Sequence, residues 1–141
     1  MSTKIYYVSL SGFDTHAMQK RAQARLLKQY SEGVGSFVED LKANNTFKDT
    51  LIMTFSEFGR RVKENASNGT DHGAGNNLFI IGDDLKKKGF YNNGPNLADL
   101  DNGDIKYEID FRQVYSTLME NWLKLDSEKV LGRCFESLNF V

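Results

Sequence analysis

Cysteine, histidine and long apolar runs are scarce in this sequence of 141 residues, and each scarcity narrows the class of protein. The single cysteine, Cys134, excludes an internal disulfide framework. No histidine lies near it in the sequence to act as an activating base, so we expect a buried or inert thiol rather than a nucleophile. No apolar run approaches the roughly 20 residues that span a bilayer. No apolar segment follows the N-terminal Met-Ser-Thr-Lys, so no signal peptide is expected.

An excess of charge of either sign is also missing. The chain has 18 lysine and arginine residues against 19 aspartate and glutamate residues, which gives a formal net charge of −1. A general nucleic-acid binder would show a basic surplus or a clustered basic face, so nucleic acid is not an expected partner. The one dense basic run, residues 86–88, stands beside Asp83 and Asp84 and is typical of a solvated turn. With 40% hydrophobic and 26% charged residues, the composition is that of a globular protein.

Hydrophobic periodicity and turn residues predict alternating strands and helices. We expect strands over residues 5–10, 50–55 and 78–81, and helices over residues 17–43 and 111–125. A last short helix is expected to follow, with Asp126 or Ser127 as its N-cap. The second and third strands are apolar nearly throughout, which is typical of buried parallel strands. Gly33 and Gly35 each weaken the long helix by roughly 1 kcal/mol relative to alanine, so a kink is expected there.

This order of elements predicts an α/β fold with a mostly parallel sheet flanked by helices. Three central strands are few for such a sheet. We therefore expect residues 1–141 to form a single domain that is the C-terminal half of a larger one, with the rest of the sheet supplied by a missing N-terminal half or an oligomer partner.

Ligands of open parallel sheets bind beyond the C-terminal ends of the strands, and three polar segments occupy such positions. They are residues 11–16, 56–61 and 69–73. The chain has only two histidines, and both lie in these segments, each beside an aspartate: Asp14-x-His16 and Asp71-His72. A carboxylate with neutral imidazole suits Zn²⁺, Mn²⁺ or Fe²⁺. The sequence thus predicts a divalent-metal site at these four residues.

Each of these residues also has a simpler interpretation. Asp14 or Thr15 would serve as the N-cap of the helix expected near residue 17. Residues 71–73 would form a plain polar turn. Glu57 would be an exposed or paired surface carboxylate, and Arg60 and Arg61 would form ordinary salt bridges rather than bind an anion.

Four blocks of sequence together resemble the bacterial domain of unknown function 1501 family. They are Gly-Phe-Asp-Thr-His at residues 12–16, Thr-Phe-Ser-Glu-Phe-Gly-Arg at 54–60, Gly-Thr-Asp-His-Gly at 69–73, and the ending from Trp122 to Leu131. The resemblance covers nearly the whole chain. Members of that family are often exported and look like relatives of sulfatases and alkaline phosphatases, and the family has no settled activity to carry over.

The resemblance implies a partial alkaline-phosphatase-like fold with a metal site built from Asp and His at strand ends. In that superfamily two metals activate a Ser, Thr or formylglycine nucleophile for phosphoryl or sulfuryl transfer. For this chain, the resemblance implies four metal ligands: Asp14, His16, Asp71 and His72. Glu57 is a ligand or general base, and Arg60 contacts the anion. Asp14-x-His16 departs from the superfamily's Asp-x-x-x-His spacing, and Asp71-His72-Gly73 precedes a predicted strand instead of following one.

The nucleophile of the superfamily comes from an N-terminal turn that this sequence does not supply. We therefore expect this chain to hold the metal-binding half of a phosphate- or sulfate-ester hydrolase-type site. We expect the chain alone to be inactive, and the ligand of the site to be a small anionic ester. The alternative is a non-catalytic binding or scaffolding module of an exported bacterial protein, which recognises a partner or a glycan. A third interpretation is a structural remnant with exposed sheet edges that favour self-association. Localisation stays open, since this chain shows no export signal and the family is often exported.

Overall fold

The computed structural model describes residues 4–141, so the first three residues of the stretch used for the signal-peptide expectation lie outside the described residues. The described chain forms two compact units. The first, called the N-terminal unit below, comprises Tyr7–Asp83 and Pro95–Lys106. The second, the C-terminal unit, comprises residues 4–6, Asp84–Gly94 and Tyr107–Val141. The expected single domain, as half of a larger one, stays a prediction.

The long helix of the N-terminal unit, α1, runs from Gln19 to Ala43 and confirms the helix predicted over residues 17–43. It continues as one α-helix through Gly33 and Gly35, and the expected kink there stays a prediction. Its last turn is closed by Asn44, whose Nδ2 donates to the carbonyl oxygen of Asp40 at 2.9 Å. One residue of α1 is buried, Leu26, so most of the apolar face predicted for this helix remains at least partly exposed.

Backbone carbonyls of a distant loop cap the start of α1. The amide of Met18 donates to the carbonyl of Ser67 at 2.9 Å, and that of Gln19 donates to the carbonyl of Asn68 at 2.8 Å. Neither Asp14 nor Thr15 caps the helix, so the N-cap interpretation of these residues is wrong. The loop around residue 68 thus supplies acceptors for two amides at the start of α1, and Asp14 makes other contacts.

Three antiparallel pairs of short strands complete the N-terminal unit. β1 (Ile52–Thr54) pairs with β4 (Phe79–Ile81), β2 (Gly59–Arg60) with β3 (His72–Gly73), and β5 (Leu100–Asp101) with β6 (Asp104–Ile105). The locations predicted for the second and third strands are confirmed, but these strands pair with each other in antiparallel register, Met53 opposite Ile80, and are not fully buried. A larger, mostly parallel sheet stays a prediction.

The strand predicted over residues 5–10 is wrong for this structure, in which these residues form no strand. The side chains of Ile5, Tyr6, Tyr7 and Val8 are 79–90% exposed. A β-branched and aromatic run favours a strand only when a neighbouring strand accepts its hydrogen bonds. No strand pairs with this segment among residues 4–141.

Short helices build the C-terminal unit. α2 (Phe111–Thr117) begins at a capping box formed by Asp110 and Gln113 and continues into a π-helical turn, Leu118–Trp122, so the helix predicted over residues 111–125 is confirmed in shortened form. α3 (Ser127–Leu131) is capped by Asp126, as predicted. Within residues 4–141, none of the helices combines the length and the apolar character that a membrane crossing requires.

Cys134 lies after α3 and is exposed, so the expectation of a buried thiol is wrong. Its contact with the Glu128 carboxylate raises the pKa of the Cys134 thiol above its usual value. A raised pKa keeps the protonated, unreactive form, so the expectation of an inert thiol is supported.

Candidate metal centre

Glycine residues allow two segments of the N-terminal unit to come close together: residues 59–75, and the loop that carries Asp14 and His16. β2 and β3 pair so that Arg60 lies opposite His72 and Gly59 opposite Gly73. A Cβ atom at Gly59 would lie 1.8 Å from the carbonyl oxygen of Gly75, and a Cβ at Gly69 would lie 2.3 Å from that of His16. A side chain would not fit at these contacts, and glycine has none. The backbone of residues 59–75 can therefore lie close to the loop that carries Asp14 and His16.

Closure of these segments brings three side chains together: Asp14, His16 and His72. The Nε2 atom of His72 lies 2.7 Å from Oδ1 of Asp14, and the Nε2 atom of His16 lies 3.0 Å from the same oxygen. One ligand atom from each residue lies within 4.8 Å of the others. The side chains are 63%, 50% and 45% exposed for Asp14, His16 and His72, so one face of the cluster is open to solvent.

The donor set of this cluster fits a divalent transition metal. Two imidazole nitrogens and one carboxylate oxygen are the ligands of many zinc and non-haem iron sites that keep positions open for substrate. A tetrahedral ion with bonds of about 2.1 Å separates its ligand atoms by about 3.4 Å. The observed separations of 2.7 and 3.0 Å are slightly shorter, so small side-chain rotations would accommodate such an ion.

The surroundings of Asp14 favour its charged form. The hydrogen bond from His72 is the largest cause that lowers the pKa of the Asp14 carboxyl below its usual 3.8. Desolvation opposes this effect, and electrostatic interactions with His16, His72 and Arg60 add to it. A charged Asp14 accepts this hydrogen bond only when Nε2 of His72 carries the hydrogen. A metal bound at that nitrogen would instead require the hydrogen on the other ring nitrogen of His72, Nδ1.

Asp71, predicted as a metal ligand, lies outside the three-residue cluster and faces the other ring nitrogen of His16. Its Oδ1 atom is 3.5 Å from Nδ1 of His16. A carboxylate at the far nitrogen of a ligating histidine fixes the ring orientation and raises the basicity of the ligand. Asn65 supports the same pair, because its Nδ2 donates to the carbonyl oxygen of His16 at 3.0 Å and lies 3.5 Å from Oδ1 of Asp71.

Phe58 and Arg60 border the cluster from the side of β2. The ring of Phe58 is stacked on that of His72, with centroids 3.9 Å apart and planes 4° apart. The Arg60 guanidinium lies 5.0 Å from the Phe58 centroid and 3.6 Å from Oδ1 of Asp14. Sequence patterns gave no reason to select Phe58 or Asn65, since their role depends on which loops meet.

The remaining predicted residues are not part of the three-residue cluster. Glu57 is exposed and makes no hydrogen bond or ion pair with the described residues. Arg61 forms an ordinary salt bridge, with its Nε atom 3.5 Å from Oδ1 of Asp104. His72 and Gly73 form β3, so a plain polar turn does not describe residues 71–73.

A family model described as Protein of unknown function (DUF1501) matches residues 3–134. The chain belongs to this family. Comparisons with curated proteins and with solved structures found no match. Three of the four blocks that carried the resemblance, residues 12–16, 54–60 and 69–73, contribute side chains to the cluster or its border. In this DUF1501 protein, the sequence blocks on which the resemblance was based therefore coincide with the candidate metal centre.

Proposed function

We propose that this DUF1501 protein binds a divalent metal ion, Zn²⁺, Mn²⁺ or Fe²⁺, through Asp14, His16 and His72. The proposal is supported chiefly by one observation, the convergence of both Nε2 atoms on Oδ1 of Asp14. We further propose that the centre is the metal-binding part of a phosphate- or sulfate-ester hydrolase-type site in a partial alkaline-phosphatase-like fold. That assignment rests on the resemblance of the sequence blocks.

Each side chain of the cluster would have a separate role in such a site. Asp14 supplies negative charge, and His16 and His72 supply neutral nitrogen donors. Asp71 orients the ring of His16. A bound ion acts as a Lewis acid toward an ester oxygen. The open face of the cluster leaves room for a small anionic ester.

Among the described residues, no serine, threonine or cysteine side chain hydrogen-bonds to Asp14, His16 or His72. Thr15, the nearest in sequence, is buried, donates to the carbonyl of Phe13 and accepts from Gln23.

The test is the metal content of protein purified without chelator, followed by titration of chelator-treated protein with Zn²⁺. We expect near-stoichiometric metal in the parent and its loss in Asp14→Asn and His72→Ala. Glu57→Gln is the matched control, because Glu57 is a neighbouring carboxylate outside the cluster. At a free Zn²⁺ concentration 100 times Kd, binding stabilises the fold by about 2.7 kcal/mol, which a thermal shift detects. A parent protein that binds no metal and gains no stability from Zn²⁺, Mn²⁺ or Fe²⁺ would refute the proposal.

A second candidate function, a non-catalytic binding or scaffolding module, is favoured by the segment of residues 5–8. Its four apolar side chains are 79–90% exposed. A run of this composition is suited to adding to the edge of a sheet in an oligomer partner. This candidate predicts that thermal stability is the same with and without metal.

A further inference from the structure

The side chain of Arg60 connects the two loops that carry the proposed metal ligands. Its Nη2 atom donates to the carbonyl oxygen of Phe13 at 2.5 Å, one residue before Asp14. Its Nη1 atom donates to the carbonyl oxygen of Thr70 at 2.6 Å, two residues before His72. One guanidinium group thereby holds both loops at fixed separation.

We propose that Arg60 is a positioning residue that holds Asp14 and His72 in register for metal binding, and does not serve as the contact for a substrate anion. This inference rests on the proposed function and deepens it. It also replaces the anion-binding role that the sequence resemblance implies for Arg60.

The environment of Arg60 argues against an anion contact. Its side chain is 17% exposed, whereas that of Asp14 is 63% exposed. Both terminal nitrogens already donate to backbone carbonyls, and the nearest charge is the Asp14 carboxylate at 3.6 Å. The Nε atom is buried and has no hydrogen-bond partner among the described residues. A substrate anion would have to displace a carbonyl and compete with Asp14 to reach this guanidinium.

Arg60 also supports His72 through an aromatic ring. The guanidinium lies over Phe58 at 5.0 Å, and Phe58 stacks on His72 at 3.9 Å. A planar guanidinium can donate to two separate carbonyls and lie on a ring at the same time, whereas a lysine ammonium acts as a point charge. The position therefore requires arginine geometry as well as positive charge.

The experiment measures Zn²⁺ affinity and the Co²⁺ absorption spectrum in Arg60→Lys and Arg60→Met, with circular dichroism to check the fold. Arg61→Met is the matched control, since it removes a cation from the adjacent position, where the side chain contacts Asp104 and not the cluster. We expect both Arg60 variants to bind Zn²⁺ about 10- to 100-fold more weakly, the usual effect of losing an outer support of a metal site, and to show an altered Co²⁺ spectrum. Arg61→Met should match the parent.

Three results would overturn the inference. One is Arg60→Lys with parental Zn²⁺ affinity and Co²⁺ spectrum. Another is an Arg60 variant that keeps the parental metal affinity but, when loaded with zinc, binds inorganic phosphate more weakly than the parent. That result would show that Arg60 contacts the anion. The third is a general loss of helix in Arg60→Lys, which would make Arg60 a support of the fold and not of the centre. These differ from failure of the proposed function, in which the parent itself would bind no metal.

Discussion

The Nε2 atom of His72 lies 2.7 Å from the Oδ1 atom of Asp14, although 58 positions separate the two residues in the chain. The contact forms only when β2 and β3 are paired and the loop around Gly69 has closed on His16. Both side chains are largely exposed, so solvent reaches the contact from one side. The charge state of Asp14 is therefore coupled to the fold and accessible to experiment.

Acid should weaken the fold of the parent protein more than that of Asp14→Asn. The pKa of Asp14 is below its usual 3.8, mainly because of the hydrogen bond from His72. A carboxyl with a depressed folded pKa stabilises the protein at pH values above its unfolded pKa. That contribution is lost as pH falls from about 3.8 through the lower folded pKa. We expect the free energy of unfolding, measured by urea titration without metal, to fall more steeply below pH 4 in the parent.

Asp83→Asn is the control for this measurement, because Asp83 is exposed and forms no ion pair with the described residues. Its stability should follow the parental pH dependence. An Asp14→Asn variant that loses stability in acid as steeply as the parent would show that the Asp14–His72 contact does not form in solution.

Gly69→Ala should open the site. The added Cβ would lie 2.3 Å from both the carbonyl carbon and the carbonyl oxygen of His16, and these are backbone atoms that cannot rotate away. The loops must separate, at a cost of roughly 1–3 kcal/mol for a forced overlap. We expect a lower free energy of unfolding and weaker Zn²⁺ binding, measured by urea titration and by competition with a metal indicator.

Gly35→Ala is the matched control, since the same substitution there meets no atom within 4 Å. Gly35 lies within α1, where alanine is favoured over glycine by about 1 kcal/mol, so this variant should be more stable than the parent and keep its Zn²⁺ affinity. Equal effects at the two positions would mean that Gly69 does not make the close backbone contact.

Local sequence signals predicted the helices well. The apolar spacing of residues 17–43 located α1 to within two residues, and Asp126 was correctly expected to cap α3. These features depend on residues three or four positions apart, which a sequence displays directly. The run at residues 5–10 shows the limit of such signals. It has strand composition, but a strand also needs a partner, and none pairs with it among the described residues.

Local sequence signals also located part of the candidate site. The pairing of each histidine with an aspartate located Asp14, His16 and His72, which the structure brings together. Asp71 faces the second nitrogen of His16 from outside the cluster, and its role as a ligand stays a prediction. The contacts of Arg60 with the Phe13 and Thr70 carbonyls depend on loop closure across 47 and 10 positions, and no residue pattern encodes a backbone acceptor.

Replacement of Phe58 by leucine should weaken the centre through loss of the aromatic stack. The Phe58 and His72 rings are nearly parallel, 4° apart, at a centroid distance of 3.9 Å, so the two rings are in face-to-face contact. Leucine keeps an apolar side chain but cannot stack, so we expect a lower free energy of unfolding and weaker Zn²⁺ binding. Phe90→Leu is the control, because Phe90 is 93% exposed and makes no ring contact with the described residues. Since His72 is also held by the Asp14 hydrogen bond, the loss in Phe58→Leu should be partial. Unchanged Zn²⁺ affinity and stability in Phe58→Leu would show that the stack does not orient His72.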